Sequence, residues 1–296
     1  MAGYPLAKHY FKKLSRNASV MLMALTLGAC ATAGGNFVEL EQADPNTGSS
    51  GNIASLTKVI RENPRNAAAY NTRGSAYGGV GRLREALEDF NTAISIDQNF
   101  YQAYANRALI HRANGDRPSA VADYNRALKI NPNYDVAYIG LGNIYREQKN
   151  SPKALEEYNK AISVGTTDPR AYHNRGLLFQ VNNRHNEAID DFSTAISLSP
   201  RQAEPWNGRG ASYLAIGNTK SALVDFNEAL RRDRDSHTAW TNRAFADEKL
   251  GNYRRAKQAY ERALRIKQNH QPAIDGLARV RKKSPTTASA TTTTDG

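Results

Sequence analysis

Two sets of side chains that could do chemistry recur along this 296-residue chain at a common interval of 34 residues. A guanidinium and a carboxylate that meet form a charge-assisted, often bidentate, pair. The regular spacing predicts a structural ladder of such pairs and leaves open whether they form within or between repeats. The exceptions, Leu141 and Ala259, fall in different repeats. The members are the arginines Arg73, Arg107, Arg175, Arg209 and Arg243 and the acids Asp89, Asp123, Glu157, Asp191 and Asp225.

Asparagines form a third recurring set. An amide both donates and accepts hydrogen bonds, so it could pair with the backbone of a bound peptide whatever the peptide's side chains are. Solvated or helix-capping asparagines are an equally good interpretation of the pattern. The residues are Asn71, Asn106, Asn174, Asn207 and Asn242.

Motifs for catalysis or metal binding are not recognisable in this sequence. It contains no glycine-rich phosphate loop, serine elbow or Cys–His pair, and its six histidines show no zinc-binding spacing within a helix. We therefore predict a protein that is not an enzyme and that uses no cofactor or metal.

The beginning of the chain has the composition of an export signal. Residues 1–29 carry four basic residues and no acid, and residues 18–27 form an apolar run. This run is shorter than the ~20 residues that span a bilayer. A basic start followed by a short apolar run and small residues is typical of a secretory signal.

The end of this segment, Leu27-Gly28-Ala29-Cys30, resembles the bacterial lipobox, and Cys30 is the only cysteine. The resemblance implies a lipoprotein signal peptide over residues 1–29 and lipidation of Cys30, for example by palmitate. Ala31, where an acid would favour retention, indicates a periplasm-facing outer-membrane protein, with the inner membrane as an alternative. An ordinary signal with a chance cysteine is the competing interpretation. Residues 30–51 are small and polar and predict a flexible tether.

Six units of 34 residues, without insertion or deletion, make up residues 67–270. Aromatic residues hold positions 4 and 24 of each unit, and alanine holds positions 20 and 27. A fixed period of this length predicts stacked helical hairpins that bury their apolar faces on their neighbours. We number the repeats 1 to 6 and call their two predicted helices A and B; the repeats are 67–100, 101–134, 135–168, 169–202, 203–236 and 237–270.

The residues at these positions resemble the tetratricopeptide repeat (TPR) family. Repeat 3 shows the likeness best, through Tyr138, Leu141, Gly142, Tyr145, Ala154, Tyr158 and Ala161. The resemblance implies an all-α fold, a right-handed α-solenoid of six TPR hairpins. We predict an N-terminal half-repeat helix within 52–66 and a capping helix at 271–283 with Ile274 and Leu277 facing inward. Residues 284–296 are predicted to be disordered.

The family resemblance also implies a binding site, because TPR arrays bind proteins or extended peptides on the concave surface lined by helices A. The likeness in plan to NlpI-type and pilotin-like lipoproteins implies a scaffold or adaptor for cell-envelope proteins, attached to the membrane by its lipid anchor. Nucleic acid is not an expected partner. The predicted groove residues are Asn71, Asn106, Leu109, Ile139, Arg146, Arg170, His173, Asn174, Leu177, Asn207, Leu214, Asn242 and Phe245.

Two other functions remain open on the sequence. The net charge is +12, and residues 228–296 contribute an excess of seven positive charges. This region could bind an anionic polymer or membrane surface electrostatically. A cytoplasmic chaperone adaptor is the third hypothesis, and it requires that the signal segment is not cleaved.

Overall fold

The computed structural model describes residues 50–283, and these form fourteen α-helices and no strand. The predicted signal peptide, Cys30, most of the tether and the tail at 284–296 lie outside the described residues. None of the described helices has the length and apolar character needed to cross a membrane. In chain order the helices are α1 (Ser50–Glu62), α2 (Ala67–Gly79), α3 (Leu83–Ile96), α4 (Tyr101–Ala113), α5 (Arg117–Ile130), α6 (Asp135–Glu147), α7 (Ser151–Ser163), α8 (Pro169–Val181), α9 (His185–Leu198), α10 (Ala203–Ala215), α11 (Thr219–Arg232), α12 (His237–Lys249), α13 (Tyr253–Ile266) and α14 (Gln271–Lys283).

Each 34-residue repeat contains one hairpin, with the even-numbered helices α2 to α12 as helices A and the odd-numbered helices α3 to α13 as helices B. The helix α1 has the place of a helix B before repeat 1, and α14 has the place of a helix A after repeat 6. Every helix packs on the next one along the chain, which is the arrangement of an α-solenoid.

Successive helices A also pack on one another, whereas no pair of successive helices B among the described residues packs to a similar extent. The array is therefore tighter along helices A, and these helices line its inner, concave side. We call the side chains that helices A present there the inner surface.

The core of each repeat forms around the aromatic residue at position 24. Its ring lies against position 8 of its own helix A, where a side chain would not fit: a Cβ on Gly142 would lie 2.5 Å from the Tyr158 ring, and one on Gly74 would lie 2.9 Å from the Phe90 ring. The alanines at positions 20 and 27 of helix B are almost all fully buried, as in Ala86 and Ala93. Close packing of small residues around large rings thus follows from the period.

The turn between helices A and B has a left-handed residue at position 15 in every repeat. Four of these residues are glycine, with φ between 76° and 84°, but Lys149 and Asn183 adopt φ of 57°. A residue with a Cβ is disfavoured in this conformation, and lysine more than asparagine. Repeats 3 and 4 therefore have the less favourable turns.

One prediction about the capping helix is wrong. Leu277 is buried as expected, with 6% of its surface exposed, but Ile274 is 39% exposed. Ile274 occupies the position of the aromatic residue that packs on helix B of the same repeat, as Trp206 does on α11. No helix B follows α14 among the described residues, so this side chain has no surface to pack on.

Candidate functional site

The arginine–carboxylate pairs form within repeats, between helices A and B. In each complete pair Nε and Nη2 of the arginine donate to the two carboxylate oxygens at 2.7–2.8 Å. These hydrogen bonds raise the pKa of Arg73, Arg107 and Arg209. The pairs are Arg73–Asp89, Arg107–Asp123, Arg175–Asp191 and Arg209–Asp225.

The same guanidiniums also join neighbouring repeats. Nη1 of each donates to a polar side chain on the preceding helix B, at 2.7–3.1 Å. The acceptors, sixteen residues before each arginine, are Thr57, Asn91, Asn159 and Ser193. One arginine therefore fixes three helices, so the ladder is structural.

The incomplete rungs are satisfied locally. In repeat 3, where Leu141 replaces the arginine, Glu157 accepts a hydrogen bond from Lys160 at 3.0 Å. In repeat 6, where Ala259 replaces the acid, Arg243 lies 3.9 Å from Asp247 on its own helix.

The predicted asparagines pair with each other across the boundaries between repeats. Nδ2 of Asn106 donates to Oδ1 of Asn71 at 3.0 Å, and Asn242 donates to Asn207 at the same distance. Asn174 donates to Asn143 at 2.8 Å. Each of these donors uses an amide hydrogen to join two helices A. The structure therefore brings them together in separate pairs, and their binding of a peptide backbone stays a prediction.

Glycine replaces asparagine at the same position, 6, in the alternate repeats and in the cap. A Cβ on Gly140 would lie 2.2 Å from the Tyr124 ring of the preceding repeat; the corresponding values are 2.7 Å for Gly208 and Phe192 and 2.2 Å for Gly276 and Tyr260. We call the contacts of repeats 1–2, 3–4 and 5–6 asparagine junctions. Those of repeats 2–3 and 4–5, and of repeat 6 with α14, are glycine junctions. The sequence analysis missed this two-repeat alternation, although the signal lies in the residues at position 6.

The apolar residues predicted to line the groove divide into two groups. Leu109, Leu177, Leu214 and Phe245 are half-buried on helices A, so part of each side chain remains available. Ile139 is only 3% exposed, and its prediction as a groove residue is wrong. It packs in a core cluster with residues of the next repeat, which covers this position.

The charged and polar groove residues lie in repeats 3 and 4. Arg170 is held by Asp168, whose carboxylate also caps α8. The His173 ring lies 5.5 Å from the Phe192 ring, and burial together with the charge of Arg146 lowers the His173 pKa to about 4. This histidine is therefore neutral at physiological pH.

Three buried polar atoms in this part of the inner surface have no hydrogen-bond partner: Nε of Arg146, Nδ1 of His173 and Oε1 of Gln180. The Gln180 amide nitrogen, in contrast, donates to the Gly208 carbonyl and the Ser212 hydroxyl, both at 2.8 Å. Buried polar groups are normally paired. This cluster is thus the part of the array where a ligand would satisfy the most unmet hydrogen bonds. Sequence reasoning missed Gln180, because it occupies a position where charged residues were expected.

The basic C-terminal clusters are partly neutralised. Arg231 and Arg232 pair with Glu228, and Arg279 and Lys283 lie 3.0 and 3.8 Å from Glu248. A second cluster remains exposed on α13; it consists of Arg254, Arg255 and Lys257. Among the described residues, no group of histidine and acidic side chains has the arrangement of a metal site.

The helical pairs and the inner surface define an α-solenoid repeat protein. Profiles of the tetratricopeptide repeat match residues 101–134, 237–270, 123–156, 67–100 and 173–237, and a TPR repeat profile matches residues 142–183. The chain belongs to the tetratricopeptide repeat family, whose fold is that of a protein-interaction scaffold.

Solved structures agree with this fold. The APC/C hetero-tetramer Cut9–Hcn1 aligns with a TM-score of 0.69 at 19% identity, over 82% of this chain and 50% of that one, so this chain spans half its length. Pseudomonas aeruginosa PilF aligns with a TM-score of 0.66 at 17% identity, over 72% and 97%. YrrB, a TPR protein with an unusual peptide-binding site, aligns with a TM-score of 0.56 at 22% identity, over 67% and 100%. No curated protein matches the sequence.

Proposed function

We propose that this protein is a membrane-anchored adaptor that binds extended segments of cell-envelope proteins on its inner surface. The observation that carries this proposal is a row of half-buried apolar side chains on alternate helices A: Leu109, Leu177 and Phe245. All three hold position 9, whereas the repeats between them have the smaller Ser75, Asn143 and Ala211 there. The row presents large apolar groups separated by shallower sites.

The spacing of this row suits an extended ligand. Packed helices are 8–10 Å apart, so side chains two repeats apart are separated by roughly 18 Å. An extended chain advances ~3.3 Å per residue and covers this distance with about six residues. A ligand with apolar side chains at that interval would contact successive members of the row.

The membrane location rests on the sequence around Cys30. Lipidation there would place the array on a tether of about 20 residues, with ends separated by roughly 25 Å on average. More than one acyl chain makes such an anchor stable. Ala31 supports the periplasmic face of the outer membrane, with the inner membrane as the alternative.

Photo-crosslinking in living cells tests the binding surface. A photoreactive residue at Leu177 should crosslink to envelope proteins, and one at Val224, a 61% exposed residue on helix B, is the matched control. Partners captured equally well from Val224 would contradict the proposal. Mass spectrometry of the mature N-terminus tests the anchor: an unprocessed chain recovered from the cytosol would favour a cytoplasmic chaperone adaptor instead.

Electrostatic binding of an anionic polymer or membrane is a second candidate, favoured by the exposed basic cluster on α13. Its binding should fall steeply between low and moderate salt, because exposed charges are screened. Binding through the apolar row should change little over the same range. Glutamine at Arg254, Arg255 and Lys257 should abolish only the salt-sensitive component.

A further inference from the structure

Charged side chains at position 12 of helix A are normally neutralised by the next helix A. Nε of Arg112 in repeat 2 lies 3.6 Å from Glu147, which holds position 13 of repeat 3. Glu248 in repeat 6 lies 3.0 Å from Arg279 and 3.8 Å from Lys283, both on α14. Position 13 of the following helix thus supplies a counter-charge in both cases.

Arg146, at position 12 of repeat 3, is the exception. The equivalent position 13 in repeat 4 holds Val181, which is 60% exposed. None of the ion pairs among residues 50–283 includes Arg146, and its Nε is buried without an acceptor. A half-buried guanidinium without a counter-charge therefore lies on the inner surface, where its neighbours in the row have one.

The surroundings of Arg146 fit an anion rather than a cation. His173 is close enough for Arg146 to affect its charge, its Nδ1 has no partner, and the ring is held neutral. Leu177 lies one turn further along the same face of α8 and is half-buried. Arg170 is not equivalent, because Asp168 already holds its guanidinium at 2.9–3.0 Å through Nε.

We propose that Arg146 binds the carboxylate of an aspartate or glutamate in an extended partner segment, while Leu177 and Val181 contact apolar residues beside it. This inference rests on the proposed function, since it places one acidic side chain of the ligand within the inner surface. A guanidinium donates to a carboxylate through strong charge-assisted hydrogen bonds. The carboxylate would supply the acceptor that Nε lacks.

The test uses the full chain with labelled histidines and two capped peptides, Ser-Leu-Ser-Glu-Ser-Leu-Ser and the same peptide with glutamine at its centre. The peptide with glutamate should bind about tenfold more tightly, as expected for a charge-assisted hydrogen bond. At saturation it should raise the His173 pKa by about one, because a carboxylate nearby favours the imidazolium. The peptide with glutamine should leave that pKa unchanged.

Two variants of the site make the test specific. Val181→Glu should supply Arg146 with the counter-charge that Arg112 has, and so should abolish the preference for the acidic peptide. Val181→Gln, of the same size without charge, should preserve it, as should Arg170→Gln. Because Val181 is exposed, these changes leave the core intact, and circular dichroism checks this.

Equal binding of the two peptides, or a preference that survives Val181→Glu and Arg146→Gln, would overturn the inference. So would the absence of binding by the acidic peptide. In each of these cases crosslinking from Leu177 decides separately whether the inner surface binds partners, so failure of the inference is distinct from failure of the proposed function.

Discussion

The asparagine junctions and the glycine junctions join identical elements by different physical means. At an asparagine junction an amide hydrogen bond connects two helices A, as in Asn106 and Asn71. At a glycine junction the absence of a side chain lets an aromatic ring of the preceding repeat lie against the backbone, as Tyr124 does at Gly140. The comparison shows that one position can be polar or empty in alternate repeats and still maintain a regular array. It also predicts that substitutions at the two junctions have unequal costs.

The largest effect is expected at a glycine junction. Gly140→Ala would place a methyl group 2.2 Å from the fully buried Tyr124 ring, so either the ring or the helix must move. Overpacking of this kind costs about 3 kcal/mol, measured as the loss in unfolding free energy in urea. Gly79→Ala is the control, because its Cβ would meet nothing within 4 Å and alanine favours the helix. A variant at Gly140 as stable as wild type would break the distinction between junctions.

Acid should weaken the asparagine junction between repeats 3 and 4, where His173 lies. Its pKa falls from an ordinary 6.5 to about 4 because of burial and Arg146, so the folded state binds fewer protons than the unfolded state between these values. Stability is therefore present above pH 6.5 and is lost as the pH falls to about 4, by about 2 kcal/mol.

His173→Asn, which introduces the residue found at this position in repeats 1 and 5, should remove that part of the acid sensitivity. Urea titrations of both proteins at pH 7.5 and pH 4.5 make the comparison. An unchanged difference between the two pH values would show that this histidine does not titrate as its surroundings require.

The loss of a single amide pair should have a smaller effect. Asn242→Ala removes the hydrogen bond to Asn207, and a neutral hydrogen bond contributes about 1 kcal/mol. The loss should therefore be clearly smaller than that of Gly140→Ala. Thr72→Ala tests the same position at the start of the array, where the hydroxyl bonds only to its own helix and little change is expected.

The smallest effect is expected away from the junctions. Lys149 has a left-handed φ of 57° at a turn where four other repeats have glycine. Lys149→Gly should stabilise the protein by roughly 0.5–1 kcal/mol in the same urea assay, because glycine adopts this conformation without strain. Gly217→Lys, the reverse change in repeat 5, should destabilise it. A loss of stability for Lys149→Gly would show that contacts of the lysine side chain outweigh the backbone.

The period of the sequence predicted the all-α solenoid, the small residues at position 8 and the arginine–carboxylate ladder, because each depends on packing that repeats identically. The pairing within repeats was not predictable, since Asp89 and its equivalents are the same number of residues from one arginine whichever way the helices pack. Ile139 and Ile274 were misplaced because burial at the inner surface and at the cap depends on the neighbouring helix, which is not periodic there. Gln180 and Val181 gained meaning only when compared with Glu147 at the equivalent position.

The account depends most on helices A lying closer together than helices B, since this makes the inner surface concave. Spin labels on cysteines introduced at Ala113 and Val181, both on helices A, and at Ala122 and Asp190, both on helices B, measure it in a chain with Cys30→Ser. Both pairs are separated by 68 residues and all four side chains are exposed. We expect a clearly shorter distance for the pair on helices A. Equal distances, or a shorter distance for the pair on helices B, would contradict the concave inner surface.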